Sequence, residues 1–289
     1  MRFLQPRTLE EALEIKTQAP DAVPLAGGTD LMVELNFDRR RPEAIRDLGR
    51  VAELRQWHRD DGELVIGSGM TYTRLLAELD GDLPGLAIAS RTIGSPQIRN
   101  RGTVGGNLGT ASAAGDALPP LVAAGASIEV ASRQGSRTLS ITDFLVGAKR
   151  NALEPDELIT AIRVPVARGP QQFSKIGTRN AMVIAVCSFA LNLNPQARQV
   201  GTGIGSAGPV TVRAAAAEGF LQDALEEERL WESHAEIPNS ASVRFAELVA
   251  EAASPIDDVR GTASYRRRAL TVMGRRMLAW AWGEYQEQP

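Results

Sequence analysis

Pro24-Leu25-Ala26-Gly27-Gly28-Thr29-Asp30-Leu31 leaves a short apolar segment, Ala22 to Ala26, and turns at two adjacent glycines. The segment has the length and character of a buried strand. Glycine lacks a Cβ and adopts positive φ at little cost, so a pair lets the chain reverse tightly and approach another group closely. A second pair stands in Thr103-Val104-Gly105-Gly106-Asn107. Consecutive N–H groups in such turns can point into one concavity and hold a phosphate without a charged side chain. Thr29, Thr103 and Asn107 could add side-chain hydrogen bonds. Two such turns suit the phosphates and ribose of a dinucleotide, while each alone is more often a plain tight turn. Neither has the spacing of a Rossmann G-x-G-x-x-G or of a P-loop. Another fold must therefore hold any such ligand.

The second pair lies within Gly94 to Gly115, a stretch of small residues with little periodicity, which predicts a long ordered loop. Before it, Thr8-Leu9-Glu10-Glu11 reads as a capping box opening a helix that Pro20 stops. Glu53 to Ser68 reads as a hairpin turning at Asp60-Asp61-Gly62, and Thr71 to Leu79 and Leu83 to Ile93 read as helices. After it come an apolar helix, Ala117 to Ala124, and strands at Ser127–Ala131, Arg137–Ser140 and Glu157–Val164. The pattern breaks at Val166-Ala167-Arg168-Gly169-Pro170. Three strands (Phe173–Gly177, Val183–Leu193, Val200–Ile204) and then helices (Arg213–Glu227, Ala241–Ala252, Ala263–Trp282) make an α+β second domain. The predicted division is residues 1–167, in two subdomains of about 1–55 and 56–167, and residues 168–289.

Composition excludes several classes. The 289 residues carry a net charge of −3, which favours neither nucleic acid nor an anionic membrane. No apolar run approaches a membrane span, and no secretory signal opens the chain, so a cytoplasmic protein is the expectation. Cys187 is the only cysteine, and His58 and His234 stand far apart, so no metal site and no iron–sulfur cluster is predicted in this chain. Cys187 falls in a β-branched apolar run and reads as a buried structural thiol. Any redox chemistry must then come from a bound organic cofactor.

Motifs along nearly the whole chain resemble the FAD-binding medium subunit of the molybdenum hydroxylases, the family of xanthine dehydrogenase, carbon monoxide dehydrogenase, aldehyde oxidases and N-heterocycle hydroxylases. They are AGGTD at Ala26–Asp30 and TVGGN at Thr103–Asn107, with TIGSPQIRNRG before the second pair and TASAAGD from Thr110 to Asp116. Asp156-Glu157-Leu158-Ile159 through Arg163-Val164-Pro165, and Val259-Arg260-Gly261-Thr262-Ala263-Ser264-Tyr265-Arg266-Arg267, resemble two further family segments. The resemblance implies a vanillyl-alcohol-oxidase-type (PCMH-type) FAD-binding domain of two subdomains, followed by a C-terminal three-stranded sheet with helices. It implies that Pro24, Leu25, Ala26, Gly27, Gly28, Thr29, Asp30 and Leu31, with Thr103, Gly105, Gly106 and Asn107, wrap the pyrophosphate and ribityl chain. Ile93 would lie near the cofactor, Ala111 to Asp116 would close the site with Asp116 as a polar contact, and Ile159 would pack on the adenine side. Lys175 matches a family lysine that reaches the flavin; its plain alternative is an exposed charge on an edge strand.

The partners implied are a large molybdenum-pterin subunit, which would hydroxylate substrate, and a small subunit with two [2Fe–2S] clusters, in a dimer of heterotrimers. This chain would pass electrons from those clusters to NAD⁺, oxygen, a quinone or another acceptor, and it needs no catalytic acid or base. The benzoyl-CoA reductase branch, with an extra [4Fe–4S] cluster in this subunit, is excluded by the single cysteine. The glycine-rich loop is nearest to purine- or N-heterocycle-oxidising members. A carbon monoxide or aldehyde dehydrogenase subunit, and a stand-alone FAD oxidase of the same fold, are the alternatives. Arg99-Asn100-Arg101 either orders its loop through carbonyl hydrogen bonds or faces a partner. Arg266-Arg267-Arg268 and Arg275-Arg276 read as a solvated helix face, and Trp231, Trp280 and Trp282 as packing residues.

Overall fold

In the computed structural model, which describes residues 1–288, strand β1 (Arg2–Leu4) leads into helix α1 (Leu9–Gln18). Thr8 caps α1 by accepting the Glu11 N–H at 3.1 Å, as the capping box predicts. The return bond is displaced by one residue: the Glu11 carboxylate accepts from Arg7 N–H, not Thr8. Next come β2 (Val23–Leu25), α2 (Leu31–Asn36) and β3 (Ala44–Asp47). β3 lies between β1 and β2 and is parallel to both. Parallel neighbours need a crossover, and α2 supplies the one from β2 to β3. Val23, Leu31, Leu35 and Ile45 form the small core beneath.

β4 (Trp57–Asp60) and β5 (Glu63–Gly67) are the predicted hairpin, with Asp61 and Gly62 both at positive φ, as a two-residue turn between twisted strands requires. α3 (Tyr72–Glu78), α4 (Pro84–Thr92), α5 (Pro96–Arg101), α6 (Val104–Thr110) and α7 (Leu118–Ala123) follow. The predicted long loop is thus largely helical. Ser95 caps α5 with Pro96 in the first turn, and Thr103 caps α6 by accepting the Gly106 N–H at 2.9 Å. Those caps outweigh the low helix propensity of the glycines.

β6 (Ser127–Ser132), β7 (Gly135–Ser140), α8 (Ile141–Phe144), β8 (Leu145–Gly147), β9 (Arg150–Asn151) and β10 (Leu158–Pro165) complete this part. Strands β4, β5, β10, β6 and β7, in that order, form an antiparallel sheet. The rest is β11 (Gln171–Ile176), β12 (Cys187–Asn194) and β13 (Gln199–Gly205), an antiparallel sheet in chain order, then α9 (Ala215–Glu227), α10 (Leu230–Ser233), α11 (Asn239–Glu251) and α12 (Ala263–Gln286). Cys187, Phe189, Leu221, Phe245, Leu270 and Met277 are buried in the core beneath the helices. Trp231 and Trp282 pack edge to face there, whereas Trp280, also predicted to pack, is half exposed.

The chain forms two compact units that interleave along the sequence. One comprises residues Met1–Glu78, Gly94–Ala111 and Ala126–Pro165. The other comprises Leu79–Ile93, Ser112–Gly125 and everything from Val166 onward. In that second unit Ala89 of α4 and Ala123 of α7 share a buried cluster with Phe173 of β11 and Ala190 of β12. Apolar burial, rather than chain order, thus assigns these two helices to their sheet.

Candidate functional site

In the first unit, β2 delivers Ala26 to a turn whose Gly28 has φ +79°. A Cβ on Gly27 would stand 2.0 Å from the Arg101 carbonyl oxygen, so only glycine lets this turn rest on the connection between α5 and α6. The backbone N–H groups of Ala26, Gly27, Gly28, Thr29 and Asp30 find no acceptor among the described residues. These residues are half-buried, and Asp30 is exposed, so their donors are free to meet water or an outside acceptor. Asp30 does not cap α2 with its side chain; its carboxylate accepts the Thr110 hydroxyl at 2.9 Å. Pro24 is exposed, and Leu31 is buried in the core.

The second glycine pair is built differently. It occupies the first turn of α6, and each N–H there has an acceptor within the chain. Val104 N–H donates to Met70 O, Gly105 N–H to Ser68 O, Gly106 N–H to Thr103 Oγ1 and Asn107 N–H to Thr103 O. A Cβ on Gly105 would lie 2.4 Å from Ser68 Cβ, so this glycine serves close packing on the chain beyond β5. The predicted N–H cradle is therefore absent here, and Thr103 is a helix cap. Gly106 adjoins the first turn: its Cβ position is 3.8 Å from Ala26 Cβ. Asn107 Oδ1 is buried without a partner among the described residues. Ala111 ends α6 in the left-handed region at φ 46°, and its carbonyl accepts Lys149 N–H at 3.1 Å. Ile159, at a bulge in β10, has its Cδ1 3.8 Å from the Cβ position of Gly109. Arg99 donates to the Gly94 carbonyl at 3.3 Å, a loop-ordering contact.

Ile93, Asp116 and Lys175 belong to the second unit. Ile93 follows α4 and is half-buried. Lys175 lies on an edge strand, yet its side chain is only 9% exposed, so the exposed-charge alternative fails. Its Nζ donates to Asp116 Oδ2 at 2.6 Å, Thr92 O at 3.0 Å and Val183 O at 3.2 Å. An ammonium has three hydrogens, and all three are engaged. Asp116 Oδ1 is buried with no partner among the described residues. Burial pushes the Asp116 carboxyl above the usual carboxylate range, against the pull of the Lys175 ammonium. Sequence reasoning missed Thr92 and Val183 because they act through backbone carbonyls, which leave no trace in residue type.

No cluster of three or more His, Cys, Asp or Glu could hold a metal among the described residues. Burial raises the Cys187 thiol to about 11, which leaves it an inert core residue.

Residues 1–167 match the model of the FAD binding domain in molybdopterin dehydrogenase, and residues 172–281 match the CO dehydrogenase flavoprotein C-terminal domain. The chain belongs to this family. This FAD-binding subunit is 36% identical over 193 residues to the nicotinate dehydrogenase FAD-subunit of Eubacterium barkeri, covering 64% of this chain and 65% of that one. It is 33% identical over 230 residues to the xanthine dehydrogenase FAD-binding subunit of Escherichia coli O157:H7, covering 75% and 77%. Among solved structures, quinoline 2-oxidoreductase from Pseudomonas putida 86 superposes with a TM-score of 0.89 at 25% identity, over 99% of this chain and 98% of that one. The FAD-binding subunit is therefore a flavoprotein of the molybdenum-dependent oxidoreductases, with the PCMH-type fold and C-terminal three-stranded sheet. FAD fits the residues present: the first turn offers five unpaired N–H groups, and Asn107 offers an unpaired side-chain oxygen beside it.

Proposed function

We propose that this FAD-binding subunit is an electron relay, taking electrons from two [2Fe–2S] clusters of a small subunit and delivering them to an external acceptor. A large molybdenum-pterin subunit would oxidise the substrate. The observation that carries the reading is the run of N–H groups from Ala26 to Asp30 that find no acceptor among the described residues, a neutral anion cradle. FAD supplies the one- and two-electron chemistry when bound. Pro24 to Leu31 hold its phosphates, Gly106 leaves space beside them, and the Asn107 side chain contributes a further polar contact. Thr103 and Gly105 fix α6 in place, Ala111 ends it, and Ile159 lines the adenine side. Ile93, Asp116 and Lys175 serve the flavin end; Lys175 acts through Asp116 and its own charge, since its hydrogens are engaged. The functional division remains 1–167 for cofactor binding and 168–289 for the C-terminal domain.

The names of the relatives, nicotinate and xanthine dehydrogenases and quinoline 2-oxidoreductase, support an N-heterocycle as substrate of the complex. No helix among the described residues is long and apolar enough to cross a membrane. The assembly we propose is a cytoplasmic dimer of heterotrimers. The test is anaerobic bleaching of the flavin. Substrate should bleach it only with the molybdenum and iron–sulfur subunits present, and omission of the iron–sulfur subunit should stop the reaction. Bleaching of the isolated chain by substrate would make it a stand-alone oxidase.

A further inference from the structure

Arg266 stands in a row of three arginines that the sequence assigns to a solvated helix face, yet it is only 3% exposed. Its neighbours Arg267 and Arg268 do face solvent. The local sequence explains the placement. Asp257 accepts the Ala263 N–H at 2.6 Å and Thr262 accepts the Tyr265 N–H at 3.2 Å, so α12 starts abruptly with Arg266 in its first turn. Asp258, just before the helix, accepts from Arg266 Nη2 at 2.5 Å.

The other end of the fork reaches two backbone stretches. Arg266 Nη1 donates to Val186 O at 2.9 Å and to Ser206 O at 2.5 Å. Val186 in turn donates its N–H to Ile176 O at 2.7 Å, next to Lys175 on β11, and lies three residues after Val183, whose carbonyl holds the Lys175 ammonium. Ser206 donates its N–H to Ala113 O at 2.7 Å, three residues before Asp116. Ser206 is itself held at φ +57°, a conformation that is unfavourable for a non-glycine residue and persists only where its surroundings enforce it. The backbone supports of both members of the buried ion pair therefore converge on one guanidinium.

We infer that Arg266 is a positioning residue that sets the geometry of the Lys175–Asp116 pair from the start of α12, a role resting on the reading that this pair serves the flavin. A planar, permanently charged fork can span three acceptors in fixed directions; a lysine ammonium cannot reproduce that spread. Asp258 holds Nη2, and the two carbonyls hold Nη1.

The test uses the full FAD-loaded chain. In Arg266→Met, hydrogen exchange at the Ser206 and Val186 amides should rise about tenfold relative to the Thr202 amide, which is bonded to buried Glu218 elsewhere in the unit. The visible circular dichroism of the bound flavin should shift in the same direction as in Lys175→Met. A purely structural role would lower the melting temperature and leave the flavin signal unmoved. The inference is overturned if both amides keep their protection relative to Thr202, or if Lys175→Met shifts the flavin signal and Arg266→Met does not. Should Lys175→Met itself leave that signal unchanged, the flavin-facing reading of the pair fails, and the exchange rates alone decide whether Arg266 is a clamp. If Arg266→Met does not fold, Asp258→Asn loosens a single anchor and should expose the same two amides by roughly threefold; unchanged exchange there overturns the inference equally.

Discussion

Gly27-Gly28 and Gly105-Gly106 are the same dipeptide performing different physical work. At the first, five successive N–H groups have no acceptor among the described residues, and Gly28 takes the left-handed conformation that turns them. At the second, all four N–H groups from Val104 to Asn107 are bonded within the chain, and Gly105 is small because Ser68 lies where its Cβ would be. One pair leaves its hydrogen-bonding capacity unused within the chain; the other uses its capacity to dock a helix. A glycine pair thus signals close approach, and what approaches depends on the surroundings.

Substitutions can break this contrast. The largest effect is expected at Gly28→Val, which puts a β-branched residue at positive φ and turns the donors away. FAD affinity should fall at least about a hundredfold, near 3 kcal/mol, while the melting temperature drops far less; flavin content after gel filtration is the measurement. Wild-type content would remove the first turn from the phosphate site. Gly105→Ala should behave in the opposite way. Its Cβ overlaps Ser68, so stability should drop by about 2 kcal/mol, read from the denaturant midpoint, with the folded fraction still yellow. If that variant folds normally but loses FAD, the second pair is a ligand cradle after all. The smallest effect belongs to Thr103→Val, which removes the cap of α6 and should cost about 1 kcal/mol with FAD affinity changed less than about threefold. A larger loss of FAD would mean that the Thr103 hydroxyl bonds the cofactor directly.

Much of the architecture was legible because it follows from local signals. The capping box at Thr8, the Asp61-Gly62 hairpin and the strands-then-helices order of the C-terminal part each depend on neighbouring residues. Two helices inside the glycine-rich stretch were missed, although Ser95-Pro96 and Thr103 are ordinary start signals; the density of small residues masked them. Arg266 was misread because a charged row looks solvated unless one knows that two carbonyls and a carboxylate wait at its base.

By itself the sequence determined the α+β class, the two glycine turns and, through its motifs, the family. Those depend on residue type and short spacing. Only the tertiary structure decided which glycine pair keeps its donors, because Met70 and Ser68, far earlier in the chain, take those of Val104 and Gly105 while the Thr103 cap takes the other two. Only it showed that Lys175 is buried and fully bonded, and that α4 and α7 join the second unit. Hydrogen-bond satisfaction and burial are properties of residues brought together from distant positions, and backbone carbonyls, which do much of that work here, are the same whatever the side chain.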